Sequence, residues 1–178
     1  MIADSVRLAL PTEARAIAEV QRRSWSAVLP ADAARQLLES VDLSAMADSW
    51  ASAIQRPPLA QLRVLVAIAE ESRVVGFAAV GPSDDPDAEP GQDALIAEFA
   101  IDPLAQRKGH GSRLLNACVD TLRADGFTRA TWWVRSADDV IRSFLAEAGW
   151  DADGAHSEVA MDADGPRVKL VRLHTAIG

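Results

Sequence analysis

The sequence predicts a single domain of mixed α/β structure over residues 1–178. The chain is long enough to bury a full hydrophobic core, and its composition of 49% apolar and 25% charged residues is typical of globular proteins. β-rich runs and amphipathic segments follow one another as strand, helices, three strands, helix, strand, helix and two strands. Few of these helices can connect parallel strands, so we expect a mixed sheet and no repeated doubly wound pattern.

The first part of the chain predicts one strand and two helical regions. The apolar run Val6–Leu10 ends at a proline, and Thr12 is a candidate N-cap for the helix that follows. A second helical region extends from about Asp32 to Ile54, with a break near residues 42–44, and two consecutive prolines stop it. Trp25 and Trp50 lie in these helices. They either pack in or beside the core or form a wall of a substrate pocket.

The middle of the chain predicts a hairpin, a loop and a central strand. Residues 63–69 and 74–80 are β-rich and are separated by four polar residues. Residues 81–92 are rich in Pro, Asp and Gly, and we expect a mobile loop there. Residues 94–101 are almost continuously apolar, which predicts a central strand covered on both faces.

The last part of the chain predicts an alternation of helices and strands. An amphipathic helix after residue 112 has an apolar side that includes Cys118. A strand is expected at Phe127–Arg135, followed by a helix capped by Ser136 or Asp138. Two final β segments are expected at about Glu158–Met161 and Val168–His174.

Charge and composition exclude several classes of protein. The net charge of −8 argues against a general attraction to nucleic acid. No apolar run approaches the roughly 20 residues needed to cross a bilayer, and residues 1–6 lack the features of a signal peptide. The single cysteine excludes an internal disulfide. We therefore expect a cytoplasmic protein with no membrane or nucleic-acid partner.

The most informative stretch is Gln106-Arg107-Lys108-Gly109-His110-Gly111-Ser112, between an apolar strand and an amphipathic helix. Glycines let the backbone approach a ligand closely, and the first N–H groups of a helix have no partner within it. Together with the helix dipole, these donors suit a phosphate or pyrophosphate. Arg107, Lys108 and Arg113 place local positive charge beside this loop in an acidic protein.

Two familiar nucleotide-binding loops do not fit this stretch. A P-loop ends in Gly-Lys-Ser/Thr, whereas Gly111 is followed by Ser112 and Arg113. A Rossmann fingerprint needs a third glycine at position 114, which is Leu, and it occurs in an early βαβ unit. Neither motif matches the residues of this stretch or its position in the chain.

From Phe99 to Leu115 the chain instead resembles the acyl-CoA-binding motif of the GNAT superfamily of N-acetyltransferases. The matching residues are Ile101-Asp102-Pro103 at the end of the strand, then Gln106, Gly109 and Gly111 at the family's spacing. Gly149-Trp150 stands where the family usually has Gly-Phe. The resemblance implies a mixed, mostly antiparallel central sheet of about seven strands flanked by helices.

The resemblance also implies a co-substrate, acetyl-CoA, and no metal. Backbone N–H groups of the loop would hold the pyrophosphate, and the main chain of the central strand would pair with the pantetheine arm. An N–H near Ile101 would stabilise the oxyanion that forms when the amine attacks the thioester. Splaying of the central strand from the strand at Phe127–Arg135 would admit the cofactor. The residues implied in cofactor binding are Phe99, Ala100, Ile101, Gln106, Arg107, Lys108, Gly109, His110, Gly111 and Ser112.

Glu98 is the candidate general base. Burial in an apolar strand would raise its pKa towards a useful range, although a structural ion pair with a nearby arginine is an equal alternative. His110 is expected to pack or hydrogen-bond at the loop, and Cys118 to lie in the core. His156 and His174 show no spacing typical of a metal site.

One position departs from the family pattern. Many members carry a Tyr that is thought to protonate the departing thiolate, but here that position is Leu145 and the chain has no Tyr. Asp138 stands where the family often has Asn. Either another group or water supplies the proton, catalysis is slow, or the protein binds acyl-CoA without efficient turnover.

The sequence therefore predicts an acetyl-CoA-dependent N-acetyltransferase acting by direct transfer in a ternary complex. The acceptor would be a primary amine of a small molecule or peptide, held near Trp25, Trp50 and Glu98. The main alternative is an acyl-CoA sensor of the same fold with little turnover. A third interpretation is transfer of a longer acyl group or transfer to an oxygen. The chain is expected to be a monomer or homodimer.

Overall fold

The computed structural model describes residues 5–160 and 163–178. Within them lie five α-helices and seven strands of a mostly antiparallel sheet, in the order that the sequence predicts. The mixed α/β fold class is thereby confirmed. The elements are β1 (Ser5–Leu8), α1 (Ala14–Val28), α2 (Ala31–Ser40), α3 (Leu43–Gln55), β2 (Arg63–Ala69), β3 (Arg73–Pro82), β4 (Asp93–Ile101), α4 (His110–Ala124), β5 (Arg129–Arg135), α5 (Asp139–Glu147), β6 (Asp151–Ala160) and β7 (Arg167–Ala176).

The described chain divides into two compact units, and β3, β4 and α4 contribute residues to both. The first unit contains the residues up to Val80 together with Glu98–Thr121. The second contains Gly81–Ala97 and the residues from Leu122 onward.

In the first unit, β1, β2 and β3 form an antiparallel sheet, with Ser5 opposite Ile68 and Arg63 opposite Val80. Alternate side chains of β2 and β3 point to opposite faces of this sheet. One face carries large apolar residues that pack against α1 and α3; its cluster comprises Ala9, Ile17, Val20, Val64, Val66, Ile68, Val74 and Phe77. A second buried cluster comprises Ala67, Ala69, Val75 and Ala105.

In the second unit, the strand order is β4-β5-β7-β6. The β4–β5 pairing is parallel and joins residues 93–95 to residues 129–131. β7 is antiparallel to both β5 and β6. Trp132 of β5 meets Trp150, the residue before β6, edge to face, with ring centroids 6.3 Å apart.

β4 differs from the prediction of a strand covered on both faces. Asp93, Ala94 and Ile96 are buried, but Ala97 and Glu98 are exposed. The described parallel ladder with β5 ends at Leu95, whereas β4 continues six residues further to Ile101. Side chains beyond that point therefore lack the cover that a continuous ladder and its packed layers would give.

β6 is longer than the sequence predicts, since it begins at Asp151 and the predicted segment began at about Glu158. The extra residues are rich in Asp and Gly, which are depleted in strands, so their pattern gave no strand signal. A bulge between Ala152 and His156, with Gly154 at φ +89°, lets them continue along β7. Met161, the predicted end of this segment, lies outside the described residues.

The acidic loop between β3 and β4 is held by side-chain bonds within the second unit and is not the mobile loop that its composition predicts. The Arg172 guanidinium donates to Asp85 at 3.0 Å, to Asp87 at 2.6 Å and to Asp153 at 2.6 Å. The indole of Trp133 donates to the same Asp85 at 2.9 Å and lies 5.5 Å from the guanidinium carbon. We call these five residues the Arg172 cluster.

A search of the described helices for a segment long and apolar enough to cross a membrane finds none.

Candidate acyl-CoA site

A buried aspartate fixes the backbone where β4 ends. Asp102 is 3% exposed, accepts from the Leu104 N–H at 3.0 Å and receives a salt bridge from Arg23 at 2.8 Å. Its own N–H donates to the Val75 carbonyl at 2.7 Å. Burial by itself would raise the pKa of Asp102, but the bonds from Arg23 and Leu104 outweigh it and the net pKa is lowered. The carboxylate therefore stays charged and holds the chain as it turns into the loop.

The loop that follows has the backbone of an anion cradle. Arg107 and Gly109 both have left-handed conformations, with φ of 60° and 81°. In the described structure, the N–H groups of Lys108, Gly109, Gly111 and Ser112 donate to no backbone carbonyl. Gln106, Arg107, Lys108, Gly109 and Ser112 are exposed, whereas His110 is 3% exposed. Free, accessible donors at the start of a 15-residue helix suit a phosphate group.

Arg113 folds back over this loop. Its Nη2 donates to the Lys108 carbonyl at 3.1 Å and lies 3.1 Å from His110 Nδ1. A Cβ at Gly109 would lie only 3.0 Å from Nη1 of the same guanidinium. The sequence indicated Arg113 as local positive charge but gave no sign of this contact with the loop.

The segment expected to bind pantetheine lies close to β3. Phe99, Ala100 and Ile101 are all half-buried. At Gly76 of β3, an added Cβ would lie 3.0 Å from the Ala100 carbonyl oxygen and 2.6 Å from Ile101 Cδ1. A glycine is therefore needed at position 76 for the backbones to approach this closely.

Glu98 is accessible to solvent, yet the surrounding protein removes enough of its hydration to raise its pKa. Among the described residues, no arginine, lysine or histidine forms an ion pair with it, and desolvation is the cause of the shift. Because side chains alternate along a strand, Glu98 is directed to the same face as Ala100. Ala100 packs against the apolar cluster that includes residues of α1, β2 and β3, so Glu98 is directed to the same side of β4 as this contact.

A cavity of about 310 Å³ opens between α1 and α3 of the first unit. Both tryptophans of these helices line it, which favours the pocket-wall interpretation, but Trp50 also packs edge to face on Phe77 at 5.1 Å. Trp50 Nε1 donates to Gln21 Oε1 at 2.9 Å. None of the lining residues carries a charge; they are Gln21, Trp25, Val41, Ala45, Met46, Ser49 and Trp50.

The other predicted positions have structural roles in the described chain. Asp138 caps α5 by accepting from the Ile141 N–H at 3.1 Å, and Leu145 is fully buried. Cys118 is buried as predicted, and burial raises the pKa of its thiol to about 12. Over residues 5–160 and 163–178, no group of three or more His, Cys, Asp or Glu side chains is arranged to hold a metal ion.

A mixed sheet with an anion loop between β4 and α4 is the arrangement that the resemblance in the sequence implies. The model of the Acetyltransferase (GNAT) family matches residues 17–150. That match covers well over half of the chain, so the protein belongs to the GNAT acetyltransferase family. The resemblance seen in the sequence is confirmed.

One curated relative is the mycothiol acetyltransferase of Mycolicibacterium gilvum (strain PYR-GCK). It is 33% identical over 117 residues, which is 62% of this chain and 35% of that protein. The chain thus matches about a third of that relative's length.

Solved structures share the fold at low sequence identity. The N-acetyltransferase from Staphylococcus aureus Mu50 has a TM-score of 0.75 at 15% identity, over 99% of this chain and 100% of that one. The paiA N-acetyltransferase from Thermoplasma acidophilum, in complex with coenzyme A, has a TM-score of 0.72 at 15% identity, over 98% and 99%. YncA from Salmonella typhimurium, with its cofactor acetyl-CoA, has a TM-score of 0.72 at 18% identity, over 99% and 95%.

Proposed function

We propose that the protein is an acetyl-CoA-dependent N-acetyltransferase that acetylates a primary amine by direct attack in a ternary complex. The observation that carries the proposal is the loop of free N–H donors in a chain of the GNAT family. The complexes of paiA with coenzyme A and of yncA with acetyl-CoA support the same ligand here.

Cofactor binding is assigned to the backbone of two segments. The N–H groups of Lys108, Gly109, Gly111 and Ser112 hold the pyrophosphate, with the positive end of the α4 dipole behind them. The main chain of Phe99–Ile101 pairs with the pantetheine arm as an added strand would. An N–H near Ile101 is assigned the stabilisation of the oxyanion that forms when the amine attacks.

Glu98 is assigned the role of general base. An amine arrives at neutral pH mainly as an ammonium ion and must lose a proton before its nitrogen can attack the thioester carbon. The Glu98 carboxylate accepts that proton, directly or through a water molecule. The C–N bond then forms, the nitrogen gives up a second proton to water, the C–S bond breaks and the thiolate leaves with the electron pair. Because Leu145 has no proton to give, the thiolate takes its proton from water.

The body of the acceptor is assigned to the cavity between α1 and α3. The indole N–H of Trp50 only donates, so the Gln21 atom that faces it must be the oxygen and the amide NH₂ is turned away. With no charged residue in the lining, we expect an amine attached to an apolar or aromatic group rather than a polyamine. A carbonyl on that group would suit the Gln21 NH₂.

Calorimetric titration with acetyl-CoA, followed by a thiol-release assay across a panel of amines, tests the proposal. We expect binding of acetyl-CoA and release of free thiol with arylalkyl or branched aliphatic amines ahead of polyamines. Failure to bind acetyl-CoA would refute the proposal as a whole. Binding without thiol release from any amine would leave the chain as a sensor.

Glu98→Gln tests the base separately. The substitution keeps the size of the side chain and should leave acetyl-CoA binding unchanged while lowering kcat. Because its pKa is raised above 4.5, wild-type kcat/KM should fall as pH drops through that raised value, and the variant should lose this limb of the profile. Equal turnover and an unaltered pH profile in the variant would remove Glu98 from the mechanism.

A further inference from the structure

Arg113 holds two successive carbonyl groups of the anion loop. Its side-chain Nη2 donates to the Lys108 carbonyl at 3.1 Å, and its backbone N–H donates to the Gly109 carbonyl at 3.1 Å. In a trans peptide the C=O and the following N–H point in opposite directions. No described peptide bond is cis, so holding these carbonyls turns the next N–H groups away from Arg113. A single residue therefore sets the direction of the Gly109 N–H.

His110 fixes the guanidinium that does this. The ring is 3% exposed, and its Nδ1 lies 3.1 Å from Arg113 Nη2. A guanidinium only donates, so Nδ1 must be the acceptor and the ring proton must be on Nε2. The two N–H bonds of Nη2 are then both used, one on the Lys108 carbonyl and one on the imidazole.

Only an arginine side chain suits this arrangement. The guanidinium is planar, and the two N–H bonds of Nη2 diverge at a fixed angle, so both acceptors are reached at once. Its position against Gly109, where even a Cβ would lie 3.0 Å from Nη1, also keeps a positive charge beside the loop. Arg107 and Lys108 are exposed, so their charges are free to move in solvent.

We propose that Arg113 is a positioning residue for the pyrophosphate of the acyl donor, acting through the Lys108–Gly109 peptide. This inference rests on the proposed function. The role concerns only the pyrophosphate part of the donor. Loss of Arg113 affects a donor that carries the pyrophosphate and spares a donor that ends at pantetheine.

The experiment compares acetyl-CoA with S-acetylpantetheine as donors for wild type and Arg113→Met. With acetyl-CoA, loss of two charge-assisted hydrogen bonds should lower kcat/KM by roughly 10- to 100-fold, through KM. With S-acetylpantetheine, kcat/KM should stay within about twofold of wild type, since that donor has no pyrophosphate for the loop to hold. Arg15→Met, at an exposed position of α1, removes the same charge outside the loop and should match wild type with both donors.

Arg113→Lys separates positioning from charge. It keeps the charge but loses the fixed pair of N–H bonds, so its acetyl-CoA KM should lie closer to that of Arg113→Met than to wild type. Circular dichroism melts show whether each variant is folded; if Arg113→Met does not fold, the lysine variant carries the comparison. Full recovery in Arg113→Lys, or an equal loss with both donors, would overturn the proposal.

Two failures remain distinguishable. If wild type binds no acetyl-CoA in the calorimeter, the proposed function fails and this inference fails with it. If wild type binds acetyl-CoA and Arg113→Met binds it equally well, only the role of Arg113 is refuted.

Discussion

Arg172→Met should destabilise the second unit strongly, because it removes a buried cation from three carboxylates. The side chains of Arg172, Asp85 and Asp153 are 6%, 13% and 10% exposed. Breaking a buried ion pair by removing one partner typically costs about 3–5 kcal/mol. Here Asp153 keeps a bond from Arg129 at 2.7 Å and Asp85 keeps the Trp133 N–H at 2.9 Å. We therefore expect the free energy of unfolding to fall by the low end of this range, about 3 kcal/mol.

For a chain of this length, a loss of about 3 kcal/mol lowers Tm by roughly 6–12 °C. Differential scanning calorimetry near neutral pH measures the shift. The matched control is Arg167→Met on the same strand, whose pair with Glu158 spans 3.5 Å with side chains 74% and 42% exposed. An exposed pair contributes at most about 1 kcal/mol, so the control should lose no more than about 4 °C. Equal shifts in the two variants would refute the reasoning.

Acid provides a second check on the same cluster. The hydrogen bond from Arg172 lowers the pKa of Asp87 from 3.8 to about 2. A carboxyl with a lowered pKa stabilises the folded state above its unfolded value and loses that contribution as pH falls through the folded value. The difference in Tm between wild type and Arg172→Met should therefore narrow as pH falls from about 4 to about 2. A difference that stays constant over this range would contradict the assignment.

Three further predictions concern the loop, the neighbouring strand and the core. Gly109→Ala forces a left-handed residue with φ of 81° to carry a Cβ and should raise the KM for acetyl-CoA. The control is Gly126→Ala, where φ is 93° and an added Cβ would have nothing within 4 Å; it should lower Tm similarly but leave the KM for acetyl-CoA unchanged. Equal KM values in the two variants would count against a role of the loop in binding acetyl-CoA. Gly76→Ala should push β4 away at Ala100, costing about 1–3 kcal/mol and raising the acetyl-CoA KM; an unchanged Tm and KM would mean that the strands can adjust. Cys118, with a thiol pKa of about 12, should not react with Ellman's reagent at pH 8 until the protein unfolds, and rapid labelling of the native chain would show that the helix face is open.

The parts of the fold that the sequence predicts correctly depend on local patterns. Alternation and apolar runs predict β2, β3 and β5 within about two residues of their observed bounds. The loop from Gln106 to Ser112 was found because close backbone approach and free helix donors need small residues at fixed spacing. That spacing carried the resemblance to the GNAT family, which the match over residues 17–150 confirms.

The contacts that local patterns could not predict join residues far apart in the chain. Arg23 and Asp102 are 79 positions apart, and Arg172 and Asp87 are 85 apart. Composition alone made the loop at 81–92 look mobile, because its aspartates have no local partner. Likewise, the apolar character of β4 predicted cover on both faces, but exposure at Ala97 and Glu98 depends on where pairing with β5 ends.

The distribution of aromatic residues determines the intrinsic fluorescence of the protein. With five tryptophans and no tyrosine, its near-ultraviolet emission is dominated by the indole rings. Two of them, Trp25 and Trp50, line the cavity between α1 and α3, and Trp50 is hydrogen-bonded to Gln21. Trp132, Trp133 and Trp150 belong to the second unit. A ligand that enters the cavity changes the surroundings of two emitters out of five, so binding in the cavity can be followed by emission without any label.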